Sequence, residues 1–166
     1  RLAIVDPAGG AQPIRSADGE LVLAVNGEIY NHRELEQELG KPYAFQTGSD
    51  CEVINALYRD RGPAGVAELN GIFAFALWDR ANQRYLIARD PIGVCPLYWG
   101  HDREGRLCVA SEMKALVGVC ADVAEFPPGH FFDSQIGSPQ SYYSKPWREH
   151  ASTLGVHVPA QELRAA

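Results

Sequence analysis

The chain has 166 residues, 46% of them hydrophobic, with six Phe, seven Tyr and three Trp, a composition that suits one compact domain burying roughly 70% of its unfolded surface and excludes a disordered chain. Its formal charge is −6, with acidic and basic residues mixed along the sequence, so it lacks the basic stripe that nucleic acid or an anionic membrane demands. No apolar run approaches the roughly 18–20 residues of a membrane helix, and nothing at the start reads as a signal peptide.

Arg1 leads into a strand pattern, Leu2-Ala3-Ile4-Val5, without an initiator Met, and Ala160 to Ala166 is a helix-forming run without a stop signal. Both ends read as cuts. Leu21 to Val25 is a short strand with Leu21, Leu23 and Val25 on one face and Val22 and Ala24 on the other. Both faces are apolar, which predicts cover on both sides. Asn26-Gly27 then reads as a turn. Asn31 is placed as the N-cap of a helix, with Glu34 three residues on, a Tyr30–Leu35 staple and Gly40 as its end. A second helix opens at Ser49 with a capping box to Glu52 and buries Val53, Ile54, Leu57 and Tyr58 before Gly62-Pro63 stops it.

Gly71 to Trp78 is the core strand. Phe73, Phe75 and Leu77 share one face; Ile72, Ala74, Ala76 and Trp78 share the other, which suits a sheet between two layers. A polar turn over residues 79–83 leads to its hairpin partner, Tyr85 to Ala88. Leu97 to Trp99 and Leu107 to Ala110 form more hairpin material, and a short helix begins near Ser111. Short strands are expected around Phe131 and Tyr142, and a linker after His150. Together these predict an α+β domain of two antiparallel sheets with helices outside them.

The four cysteines, Cys51, Cys95, Cys108 and Cys120, include no C-x-x-C pair and read as buried free thiols in a reducing cytosol. The five histidines show no ligand spacing and predict no metal site.

Four features could carry chemistry. Asn26-Gly27-Glu28 follows a buried strand, Asp50 lies in the first turn of a capped helix, Arg1 opens a strand, and Arg89-Asp90-Pro91 forms a polar turn. They offer an oxyanion-type site, an anion and a cation, but no obvious nucleophile. Each also has an ordinary reading: Asn-Gly as a plain turn, Asp as favourable helix electrostatics, Arg as a solvated terminus.

Val25-Asn26-Gly27-Glu28-Ile29-Tyr30-Asn31, Gly48-Ser49-Asp50, Arg1 to Asp6 and Arg89 to Tyr98 resemble signature segments of the glutaminase domain of asparagine synthetases. Gly71 to Asp79, Ala110 to Leu116 and Phe126-Pro127-Pro128-Gly129 agree in the same order. The form is most similar to the bacterial B-type and plant enzymes. The resemblance implies a class II amidotransferase with an N-terminal-nucleophile fold, an αββα four-layer sandwich of two antiparallel sheets, here incomplete at the N-terminus. It implies a glutaminase domain over 1–150, and a linker with the start of an ATP-dependent synthetase domain over 151–166.

In that family a Cys at the mature N-terminus attacks the glutamine amide, with its own α-amine as base. By analogy Asn26 and Gly27 form the oxyanion hole, Arg1 grips the α-carboxylate, and Leu2, Ala3, Ile4 and Val5 line the pocket beside it. Asp50 receives the α-ammonium and Glu28 helps to hold the amine end. The nucleophile falls upstream of Arg1, so the isolated chain is expected to be inactive. Cys51 is a poor substitute, having no free α-amine and a carboxylate as neighbour. Ammonia released by the domain would serve a separate domain that converts aspartate to asparagine, forming AMP and pyrophosphate. ATP and Mg²⁺ belong to that domain and no cofactor to this chain. Glutamine, the parent's synthetase domain and a second copy in a homodimer are the expected partners, and the cytoplasm the expected location. The alternatives are another class II amidotransferase, and a binding domain of the same fold without catalysis.

Overall fold

The computed structural model describes residues 5–6, 10–39 and 42–144. Among these residues, nine strands form two antiparallel sheets. β1 (Ile14–Arg15), β2 (Leu21–Ile29), β3 (Gly71–Asp79), β4 (Arg84–Arg89), β8 (His130–Asp133) and β9 (Pro139–Ser141) make a six-stranded sheet in that order. β5 (Tyr98–Asp102) lies between β6 (Leu107–Ala110) and β7 (Cys120–Glu125) in a three-stranded sheet. Helices α1 (His32–Leu39) and α2 (Val53–Arg61) are the only α-helices among the described residues.

The period-two pattern of β2 and β3 puts their larger side chains toward the helices. Leu21, Leu23, Val25, Ile29, Phe73, Phe75 and Leu77 are buried there with Leu35, Val53, Ile54, Leu57 and Tyr58 of the helices. The opposite face of the large sheet builds a second core, in which Ala74, Ile87 and Phe132 meet Cys95, Leu97 and Phe126. Trp99 closes it, edge-on to Phe126 at 5.2 Å and to Phe132 at 5.5 Å. Helix layer, sheet and sheet are thus in place, as an α+β domain with two antiparallel sheets predicts.

Several local expectations are corrected. Asn26-Gly27 is no turn: β2 runs on through Glu28 to Ile29, in register with Gly71 to Asp79 of β3. Ala24 stands exposed, so the second face of β2 is less covered than its apolar pattern predicts. The Asn31 side chain, expected to cap α1, instead donates to the Glu68 carbonyl and accepts from the Asn70 amide, at 2.9 Å each. Tyr30 is 57% exposed and makes no staple over buried Leu35. Ser49 does cap the second helical segment, its hydroxyl accepting from the Cys51 amide at 3.3 Å, but Glu52 turns to other donors. Strands β1 and β7 are additions. Cys51 and Cys95 are buried free thiols as expected, whereas Cys108 and Cys120 are half-buried. Gly40, Leu2 to Ile4 and the tail beyond His150 lie outside the described residues. No helix among the described residues is long and apolar enough to cross a membrane.

Candidate active site

Asn26, Gly27 and Glu28 sit on the last stretch of β2, paired with Ala74, Phe73 and Ile72 of β3. Gly27 has φ +141°, a conformation that side-chain-bearing residues rarely adopt. A Cβ there would lie 2.6 Å from Phe73 Cα and closer still to the Ile72 carbonyl oxygen, so only glycine permits the strands to approach this closely. Asn26 shares a cavity of about 240 Å³ with Gln12, Ala24, Ala74, Leu97, Val109 and Ser111. Gln12 brackets Val25 with its side-chain amide, accepting from the Val25 N–H at 2.8 Å and donating to its carbonyl at 2.7 Å. It thereby continues the ladder beside Asn26. Nothing in the sequence around Gln12 announces that role.

Asp50 is buried and its Oδ2 accepts from the Ile29 amide at 2.7 Å. The cap at Ser49 holds the turn in which Asp50 meets the end of β2. Cys51 beside it points inward, its thiol donating to the Gly27 carbonyl at 3.5 Å. Burial, then the Asp50 charge, push that thiol well above its ordinary range, the opposite of what a nucleophile needs. Glu28 is half-buried, and its Oε1 is a buried acceptor without a hydrogen-bond partner, a costly state that an added donor would relieve. Asn26, Gly27, Glu28 and Asp50 therefore gather around one end of β2.

Of the expected pocket wall Arg1 to Val5, only Val5 lies among the described residues, 37% exposed; Arg1, Leu2, Ala3 and Ile4 lie outside them. Arg89 and Asp90 belong to the scaffold. Arg89 is buried and donates to the carbonyls of Cys95 (2.7 Å), Phe126 (2.8 Å) and Gly93 (3.1 Å) and to Glu125 at 2.6 Å. Asp90 accepts from the amides of Ile92, Gly93, Val94 and Cys95 within 2.6–3.1 Å. The Asp90 carboxylate thus serves the loop over 91–95, and the Arg89 guanidinium ties that loop to Glu125 and Phe126. Among the described residues no group of three or more His, Cys, Asp or Glu is placed to hold a metal ion.

Residues 1–145 match the glutamine amidotransferase domain family. Over all 166 residues the chain is 52% identical to asparagine synthetase B [glutamine-hydrolyzing] of Escherichia coli K12, covering 30% of that protein. It is 48% identical over 147 residues, 89% of the chain, to the glutamine-hydrolysing asparagine synthetase of Zea mays, of which it covers 25%. The chain thus spans less than a third of the length of these relatives. Among solved structures, the glutamine phosphoribosylpyrophosphate amidotransferase of B. subtilis aligns with a TM-score of 0.66 at 29% identity, over 81% of this chain and 32% of its own.

Proposed function

The chain belongs to the glutamine amidotransferase domain family, and from that premise we propose that it is the glutaminase part of an asparagine synthetase. The observation that carries this reading is the 52% identity to asparagine synthetase B across the whole chain, against 29% to the amidotransferase that serves phosphoribosylpyrophosphate.

In the proposed reaction a Cys upstream of Arg1 in the parent attacks the side-chain amide carbon of glutamine, its α-amine taking the thiol proton. Charge grows on the amide oxygen. The Asn26 side-chain amide and the Gly27 N–H stabilise that charge, which exists only in the tetrahedral intermediate. Collapse expels ammonia and leaves a thioester, which water hydrolyses to glutamate. Arg1 holds the α-carboxylate beside Leu2, Ala3, Ile4 and Val5, while Asp50 and Glu28 hold the α-ammonium. The buried, unpartnered Glu28 Oε1 supports the last assignment, since a cationic donor removes its cost.

The parent's remaining length would hold the domain that uses ammonia, aspartate and ATP with Mg²⁺ to form asparagine, AMP and pyrophosphate. No step of that half is assigned to this chain. Cytoplasmic location and a homodimer complete the reading.

The test supplies the intact parent with amide-¹⁵N glutamine, ATP, Mg²⁺ and aspartate. Labelled asparagine is the expected product. Glutamate release without labelled asparagine would move the acceptor to another substrate, and no glutamate release would remove the glutaminase assignment.

A further inference from the structure

Glu52 is fully buried, and a buried carboxylate costs several kcal/mol unless donors surround it. All of its donors come from one loop. Oε1 accepts from the Gln46 amide at 2.8 Å and the Tyr43 hydroxyl at 3.2 Å, and Oε2 from the Thr47 amide and hydroxyl at 2.7 Å each. The loop fixed in this way leads directly to Asp50. Thr47 Oγ1 accepts from the Ser49 amide at 3.2 Å, and the Gly48 amide donates to Asp6 Oδ2 at 2.8 Å.

Asp6 is itself locked on the other side, where its carbonyl accepts from the Gly10 amide at 2.9 Å. The fit is tight: a Cβ on Gly10 would lie 3.0 Å from the Asp6 carbonyl oxygen and 3.3 Å from Ser49 Cβ. Bonds and packing therefore join the segment that ends at Val5-Asp6 to the helix start that carries Asp50.

We propose that Asp6 and Glu52 are positioning residues for glutamine, a clamp that holds the loop over 43–49 and with it the turn that carries Asp50. This rests on the proposed glutaminase reading, in which Arg1 takes the α-carboxylate and Asp50 the α-ammonium. Asp6 follows the Arg1 to Val5 segment directly, and Gly48 and Ser49 precede Asp50 directly. A bond between Asp6 and Gly48 thus ties the residue that follows this segment to the turn that carries Asp50. Neither Asp6 nor Glu52 touches the reacting amide, so loss of the clamp acts on substrate affinity, and misplacement by about 1 Å is enough to matter.

The test is steady-state kinetics of the intact parent with glutamine and, separately, with ammonia. Asp6→Ala should raise the glutamine KM about tenfold, the effect of losing one charge-assisted hydrogen bond, with kcat nearly unchanged and ammonia-dependent synthesis intact. Asp6→Asn, which keeps an acceptor oxygen for Gly48, should stay close to the parent. Glu52→Gln places an NH₂ against converging donors and should repeat the KM effect. An unchanged KM in Asp6→Ala would overturn the clamp, as would an equal loss of ammonia-dependent synthesis or an Asn variant as impaired as Ala. If the unaltered parent hydrolyses no glutamine, the glutaminase reading itself fails, an outcome distinct from all of these.

Discussion

The Ile29 amide donates to Asp50 Oδ2 across 2.7 Å, so the end of β2 and the start of the second helical segment form one unit. Asn26 and Gly27 lie on that strand and Asp50 on that turn. This bond, with that of the Cys51 thiol to the Gly27 carbonyl, therefore links the groups proposed to act on the amide with the group proposed to hold the amine.

Asp50→Asn separates the charge of this residue from its bond to Ile29. The amide oxygen of Asn can still accept from the Ile29 N–H, so the turn should keep its place while the counter-charge for an α-ammonium is lost. The glutamine KM of the intact parent should rise on the order of 10- to 100-fold, about 1.5–3 kcal/mol for a charged hydrogen bond. Ammonia-dependent synthesis should change little. Equal loss of both activities would remove the substrate role of Asp50.

Gly27→Ala tests the close approach of β2 to β3. An added Cβ would press on Ile72 and Phe73 backbone atoms at a φ that disfavours side chains, so the strands must separate. A cost on the order of 3 kcal/mol is expected. Hydrogen exchange of the paired amides of β2 and β3 in the parent reads this directly, with protection predicted to fall on the order of 100-fold. Unchanged protection would show that the strands tolerate the methyl group.

The acid limb of stability should depend on Asp133. Burial raises its carboxyl, but the Arg84 side chain and the Gln135 amide outweigh burial and hold it below the ordinary carboxylate range. Arg84 Nε donates at 2.7 Å, and its second nitrogen completes the fork. Asp79 behaves alike: burial raises it, and Asn82 and Tyr58 more than compensate. Because the folded values lie below the unfolded value of about 3.9, the stabilisation is complete above that pH and lost as pH falls through the folded values. Exchange protection of β4 and β8 should hold down to about pH 5 and fall below about pH 4. Asp133→Asn should cost about 1–3 kcal/mol at neutral pH and flatten the acid limb. An acid limb identical to that of the parent would exclude Asp133 as its source.

Which parts of this were legible in the sequence follows from how local their causes are. The β3–β4 hairpin shows in the alternation of Phe73, Phe75 and Leu77 with smaller residues, because the pleat alone decides it. Ser49 and Asp50 were readable for a similar reason, since a cap needs only its own turn. Asn26-Gly27 misled because the dipeptide usually makes a turn; here the partner strand, 45 and more residues away in sequence, pulls it into the sheet. Glu52 had the spacing of a capping box, yet the loop donors at residues 43–47 offered a fuller set of bonds than the single Ser49 amide. The sequence Cys120–Glu125 has little apolar alternation, and β7 exists because β5 has an edge to pair with. The individual site residues carried weak local signals, and their ordered series of segments, read as a family resemblance, was what joined them.

On the proposed glutaminase reading, the end of β2 stabilises an oxyanion during glutamine hydrolysis. The most direct measurement compares kcat for glutamate release by the intact parent and its Asn26→Ala variant at saturating glutamine. A fall on the order of 10²–10³-fold in kcat with only a modest change in KM is expected. A raised KM with kcat unchanged would contradict it, placing Asn26 in ground-state binding alone.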